Sequence, residues 1–223
     1  MKKYRHELKF IINKNMASIL KQRLSLVMTL DANSLDGAYL IRSLYFDDVK
    51  KTAYYDKLDG LLFRKKYRIR IYNNSCDVIK LECKHKDDTL TFKRNTLISY
   101  DVCQALINGN EIISNNKLVN ELNLMIKFNG LRPTVIVDYK RVAYTYPVSD
   151  VRVTFDSQIS SGYNNYDIFD KNATSVSTID DGEVVLEVKF NEIMPSHIAL
   201  ILQSVPLLRQ AFSKFTVCQS MKE

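Results

Sequence analysis

The residues of this chain that could do chemistry are long cations with a few carboxylates among them, and they recur at every second position. Over Phe63–Tyr72 one parity carries Arg64, Lys66, Arg68 and Arg70, and the other carries Phe63, Lys65, Tyr67, Ile69 and Ile71. The run Asp77–Lys86 repeats the pattern, with Lys80, Glu82, Lys84 and Lys86 set against Ile79, Leu81, Cys83 and His85. Later, Glu183, Glu187 and Lys189 alternate with Val184, Leu186, Val188 and Phe190. Near the start, Glu7 and Lys9 alternate with Leu8, Phe10 and Ile12. Successive side chains of a strand project to opposite faces, so each run reads as a strand with one charged and one apolar face. A half-solvated sheet gives the same alternation, and for any single strand that is the simpler reading. The set differs from it. The polar faces hold almost no Thr, Ser or Gln, and helical segments stand ready to cover the apolar faces. That combination predicts a barrel with charges inside and helices outside. Like charges crowded in a narrow bore repel strongly, so the bore must hold water, counter-charge or a polyanion. Phosphate chains supply negative charge at regular spacing, and Arg and Lys are its usual binders. A divalent metal accounts for the interspersed carboxylates, by bridging Glu oxygens to phosphate oxygens.

The elements that must position these residues follow from periodicity. Strands are predicted at Tyr4–Ile12, Tyr39–Asp47, Phe63–Asn73, Asp77–Lys86, Thr89–Ser99, Pro133–Tyr146, Val151–Ser157 and Glu183–Asn191. Helices are predicted at Lys14–Met28, Val49–Lys57, Asp101–Asn108, Asn116–Phe128, Ser196–Gln203 and Ser213–Met221. Ser157–Gly182, rich in Ser, Asn, Asp and Gly, reads as a surface loop. The expected fold class is α+β, a closed antiparallel β-barrel of about eight strands with helices packed outside. With few Pro or Gly and no internal repeat, residues 1–223 read as a single domain.

Composition narrows the classes. The chain has 223 residues, 46% hydrophobic and 26% charged, which suits a water-soluble fold. No apolar run reaches the length of a membrane span. The opening MKKYRHELKFII is basic like a leader, but Arg5, Glu7 and Lys9 sit where an apolar stretch belongs. A cytoplasmic location is therefore expected. The net charge of +7 favours an anionic partner: nucleic acid, an acidic membrane surface or phosphate. Cys76, Cys83, Cys103 and Cys218 show no zinc-ligand spacing and read as reduced thiols. His6, His85 and His197 read as structural or surface residues, and no P-loop, GxGxxG or nucleophile elbow occurs. A nucleic-acid platform would mix aromatics with cations on one face. Here Tyr67 and Phe190 alternate against the cations instead, so no nucleic acid is expected as a partner.

Taken in order along the chain, these segments resemble the VTC domain. That is the polyphosphate polymerase module of the vacuolar transporter chaperone complex and its prokaryotic relatives, in the triphosphate tunnel metalloenzyme superfamily. The matching pieces are YRHELKF at Tyr4–Phe10, SLYFDD at Ser43–Asp48, YRIRIY at Tyr67–Tyr72, LECKHK at Leu81–Lys86, FKR at Phe92–Arg94, YKRVAY at Tyr139–Tyr144, VRVTFD at Val151–Asp156, LEVK at Leu186–Lys189 and FSKF at Phe212–Phe215. The resemblance implies that Lys9 binds phosphate from the first strand and that Arg68 and Arg70 hold a triphosphate. It implies that Lys84 and Lys93 are further tunnel lysines, and that Arg141 and Arg152 serve from later strands. By the same resemblance Glu187 binds the metal with Lys189 beside it, and Ser213 and Lys214 form a Ser-Lys pair at the start of the terminal helix, where backbone amides favour phosphate. Glu7 and Glu82 would assist the metal. Many relatives open with Glu-x-Glu-x-Lys; here Arg5 takes the first Glu position, which favours a polymerase over a hydrolytic metal arrangement.

The resemblance therefore implies a metal-dependent phosphotransferase that moves the γ-phosphate of ATP onto inorganic polyphosphate, with Mn²⁺ or Mg²⁺ as cofactor. The alternatives are a tripolyphosphatase or nucleoside triphosphatase, and a non-catalytic polyphosphate-binding module. A membrane-protein partner would have to supply any span, and oligomeric state is left open.

Overall fold

The computed structural model describes residues 5–34, 37–87, 90–162 and 165–222. Tyr4 and Thr89, where two predicted strands begin, lie outside them. The fold is α+β, with a large antiparallel sheet and six helices among the described residues. The elements run β1 (Arg5–Asn13), α1 (Lys14–Leu24), β2 (Thr29–Leu30), β3 (Tyr39–Asp47), α2 (Thr52–Leu58), β4 (Arg64–Tyr72), β5 (Ser75–Asp87) and β6 (Leu90–Leu97). They continue with α3 (Tyr100–Asn108), α4 (Lys117–Asn129), β7 (Arg132–Tyr146), β8 (Val151–Gly162), β9 (Ser175–Ser177), β10 (Glu183–Asn191), α5 (Ser196–Leu202) and α6 (Lys214–Ser220).

The sheet follows the path β1-β10-β8-β7-β3-β4-β5-β6, with β2 added on β7 and β9 on β8. This path has two ends, so the closed barrel expected from the sequence is corrected to an open ladder. One physical reason lies at β1. In the middle of its outer edge the Gln210 amide donates to the Lys9 carbonyl and Phe10 bridges to Arg209. Backbone groups already paired there are not open to a further strand.

The chain forms two compact units. The first comprises residues 1–40, 139–159 and 179–213. Its core joins Phe10 and Ile12 of β1, Val153 and Phe155 of β8, and Val184, Leu186 and Val188 of β10 to Leu20 and Leu24 of α1 and Ile198 of α5. The second comprises residues 41–138, 160–178 and 214–223. There Leu44, Phe46, Tyr67, Ile69, Leu81 and Cys83 pack beneath Cys103 and Leu106 of α3 and Leu118 and Leu122 of α4. Each fully buried aliphatic or aromatic side chain contributes roughly 1.5–3 kcal/mol. In both units the apolar parity of the strands faces helices, as the alternation predicts. Helices α3 and α4 start where Ser99 and Asn116 accept amide hydrogens of their first turns, and end at Gly109 and Gly130 in the left-handed region.

Helix α1 is shorter than predicted, because Ser25 closes it and the chain turns before the short strand β2. The predicted loop Ser157–Gly182 is partly strand. β8 runs on to Gly162, with Ile159 fully buried and Ser161 donating to the Cys218 carbonyl at 2.8 Å. A Cβ at Gly162 would stand 2.8 Å from that of Ile136, so glycine permits this close approach.

Candidate functional site

The second unit gathers cations on the sheet face opposite its helices. Adjacent strands align Arg70 with Lys80, Arg68 with Glu82, Lys66 with Lys84 and Arg64 with Lys86. β6 then sets Lys93 opposite Lys84 and Asn95 opposite Glu82. One ladder row is therefore Lys66–Lys84–Lys93, three lysines in direct register. Like charges directly opposite on a sheet destabilise it unless counter-charge is near.

Glu82 is the one carboxylate among these positions, and it is buried. It accepts from Arg68 at 2.5 and 2.6 Å and from Lys93 at 2.6 Å. Burial pushes its carboxyl up, but the charges of Arg68, Arg70 and Lys93 outweigh this and hold it down to about 2. Burial lowers the Lys93 ammonium against the pull of Glu82, and the charges of Arg68 and Arg70 lower it further. Arg68 also donates to the Tyr45 hydroxyl at 2.8 Å, and Arg70 donates to Ser43 at 3.0 Å. Lys66 lies 4.5 Å above the ring of Phe215, which packs on Tyr45 from α6. Lys214, the first residue of α6, is half-buried, as is Ser213 before it. Lys84 is exposed.

The first unit sets several carboxylates among its cations. β1 and β10 set Lys9 opposite Glu187 and Glu7 opposite Lys189. Glu187 lies 2.9 Å from Lys189 and 3.9 Å from Arg141, and Glu7 lies 3.0 Å from Lys9 and 3.8 Å from Lys189. Arg141 turns its fork to the fully buried Asp156, at 2.6 and 2.7 Å. Burial opposes the charge on Arg141, but Asp156 and then Glu187 keep the guanidinium protonated well above its ordinary range. Arg152 donates to Asp31 at 2.7 Å and to Tyr39 at 3.1 Å. Burial raises Asp31, but the Asn33 amide and Arg152 prevail and lower it.

Thus Arg68, Arg70, Lys84 and Lys93 share one face in the second unit, and Lys9, Arg141, Arg152, Glu187 and Lys189 cluster in the first. Asp31, Tyr39, Asp156, Tyr45 and Ser43 are partners that sequence reasoning did not single out. Asp156 sits at the end of the VRVTFD segment and Tyr45 within SLYFDD, so both were visible in the motifs; Asp31 lies outside every motif. His6 stacks on Phe190, His85 lies near Phe92 and His197 edges Tyr146, each against an aromatic ring. Cys83, Cys103 and Cys218 are buried free thiols and Cys76 is exposed.

Among the described residues no three His, Cys, Asp or Glu side chains converge into a metal cage. A site of the Mg²⁺ type needs only one or two carboxylates, the rest of its shell being water and phosphate. Glu187 meets that condition. Thr154, its direct ladder partner, carries a buried hydroxyl oxygen that has no hydrogen-bond partner among the described residues. These are hard oxygen donors, and they fit Mn²⁺ or Mg²⁺.

The VTC domain profile matches residues 4–222. No curated protein matches the chain in sequence. A candidate adenylate cyclase from Bacillus halodurans superposes with TM-score 0.54 at 14% identity, over 91% of this chain and 87% of that one. A second candidate adenylate cyclase, from Vibrio parahaemolyticus, gives 0.51 at 10% identity over 97% and 98%. At such identities the likeness is one of fold. Among the described residues no helix is long and apolar enough to cross a membrane.

Proposed function

The chain belongs to the VTC domain family, and from that premise we propose that it is a polyphosphate polymerase using ATP as phosphoryl donor. The observation that supports this most is the in-register lysine row Lys66–Lys84–Lys93, flanked by Arg68 and Arg70. A sheet that aligns like charges gains stability when a polyanion neutralises them.

In this reading Arg68, Arg70, Lys84 and Lys93 bind phosphate oxygens and spread the negative charge that develops in the transition state. Glu82 fixes the approach of Arg68 and Lys93 without cancelling the face, since its neighbours outnumber it. Lys214 and Ser213 add phosphate contacts at the start of α6. In the first unit Lys9, Arg152 and Lys189 are assigned to phosphate, with Arg141 held in place by Asp156. Glu187, with the Thr154 hydroxyl, would hold Mn²⁺ or Mg²⁺, which supplies Lewis-acid neutralisation of phosphate oxygens when bound.

A terminal phosphate oxygen of the acceptor chain attacks the γ-phosphorus of ATP. The bond from that phosphorus to the β,γ-bridging oxygen breaks, and ADP leaves. A phosphate nucleophile is already ionised, so no His base is required; the placement of all three histidines against aromatic rings agrees with this.

The test is incubation of pure protein with ATP and Mn²⁺, with products resolved on a gel. A ladder of acid-labile phosphate polymer is expected. Release of free phosphate without polymer would replace this reading with a tripolyphosphatase. Glu187→Ala should lose metal-dependent turnover at least about 100-fold in protein that circular dichroism shows to be folded. Undiminished turnover would remove Glu187 from the metal site.

A further inference from the structure

We propose that the loop joining α2 to β4 docks this protein on an anionic lipid surface. Leu61, Leu62 and Phe63 are consecutive in sequence and 48%, 50% and 65% exposed. Tyr55 and Leu58, one turn apart on α2, extend the same apolar exposure, while Ala53 and Tyr54 take the buried side of that helix. Scattered apolar residues are normal on a surface, but a continuous stretch marks an interaction site. The tip is built rather than loose. Gly60 turns the chain through the left-handed region, the Leu61 amide donates to the Asp56 carbonyl at 3.0 Å, and the Arg64 guanidinium donates to the Leu61 carbonyl.

The charge around the tip chooses the occupant. Between positions 50 and 66 stand Lys50, Lys51, Lys57, Arg64, Lys65 and Lys66, against only Asp56 and Asp59. Lys65 also reaches Glu121 at 3.3 Å, and the segment keeps more cations than carboxylates in its sequence. An apolar tip with a basic surround fits a bilayer bearing anionic headgroups. The apolar side chains enter the acyl boundary and the cations meet lipid phosphates. A second copy of the chain fits worse, since the patch would then face its own excess of cations on a molecule of net charge +7.

The chain contains no Trp, so Phe63→Trp places a single indole fluorophore at the tip. The probe is titrated with phosphatidylcholine vesicles, with and without phosphatidylglycerol, and with brominated acyl chains as quenchers. No nucleotide is added, so the outcome does not depend on the polymerase reading. The expected result is a blue shift and acyl-chain quenching with the anionic vesicles only. Leu61→Ser with Leu62→Ser should weaken binding to anionic vesicles at least about ten-fold. An equal response to neutral vesicles, or none to either, overturns the proposal. So does an emission shift that follows protein concentration instead of lipid, because it would assign the patch to self-association. Should the double Ser variant fail to fold by circular dichroism, the Phe63→Trp measurement decides alone.

Discussion

At the scale of the residue, Glu82 is the group whose removal says most. It is buried, yet its partners Arg68 and Lys93 reach it from two neighbouring strands. Replacing it with Gln leaves those cations, and Arg70, without their counter-charge. We expect Glu82→Gln to lower stability on the order of 3 kcal/mol in denaturant unfolding. The loss should shrink when tripolyphosphate is present, since the ligand brings the missing negative charge. The pH dependence has a definite sign. The Glu82 carboxyl is depressed on folding from its ordinary 4.5 to about 2, so its contribution is complete above 4.5 and is lost as pH falls toward 2. Acid unfolding of the parent should therefore steepen across that window, and Glu82→Gln should flatten it. Parallel profiles would show that Glu82 is not the titrating group. The residues that carry this argument were legible as a parity of cations along two strands. The bond from Glu82 to Lys93 was not, because parity names a face and not the partner on the neighbouring strand.

At the scale of the element, the strands are right where side-chain direction is a local property. β3 and β10 span Tyr39–Asp47 and Glu183–Asn191, as their apolar periodicity predicts. β8 differs, because its second half is rich in Ser and Gly and looks like a loop. Those small residues are there because the strand runs close beside neighbouring backbone. Gly162 has no room for a Cβ against Ile136, and Ser161 spends its hydroxyl on the α6 segment. Gly162→Ala should therefore destabilise the protein by about 1–3 kcal/mol, as overpacking of a buried strand does. For a chain of this size that corresponds to a melting temperature lower by roughly 2–10 °C. An unchanged melting temperature would mean that β8 can shift away from Ile136 at no cost. Composition rules for loops rest on average solvent exposure, and here a tertiary contact overrides them.

At the scale of the whole molecule, the two units divide the charge differently. In the first, each of Lys9, Lys189, Arg141 and Arg152 lies against a carboxylate. In the second, Arg68 and Lys93 share one carboxylate, Glu82, and Lys93 stands in register with Lys84 and Lys66. Saturating tripolyphosphate should raise the melting temperature, by roughly 5–10 °C if the ligand stands near 100 times its dissociation constant. The gain should fade toward 1 M salt, where screening acts over about 3 Å. A shift that resists salt would point to a neutral binding mode. The sequence by itself determined which residues face together, because a strand's alternation follows from backbone geometry two residues at a time. It also determined that helices cover the apolar parity, since those side chains must leave water somewhere. Only the tertiary structure decided the partners: Arg152 with Asp31, 121 positions apart, and Arg141 with Asp156. Only it decided that the sheet path has two ends, with Arg209 and Gln210 meeting the middle of the β1 edge. Such pairings depend on which distant segments the folded chain brings side by side, and no local periodicity encodes that choice.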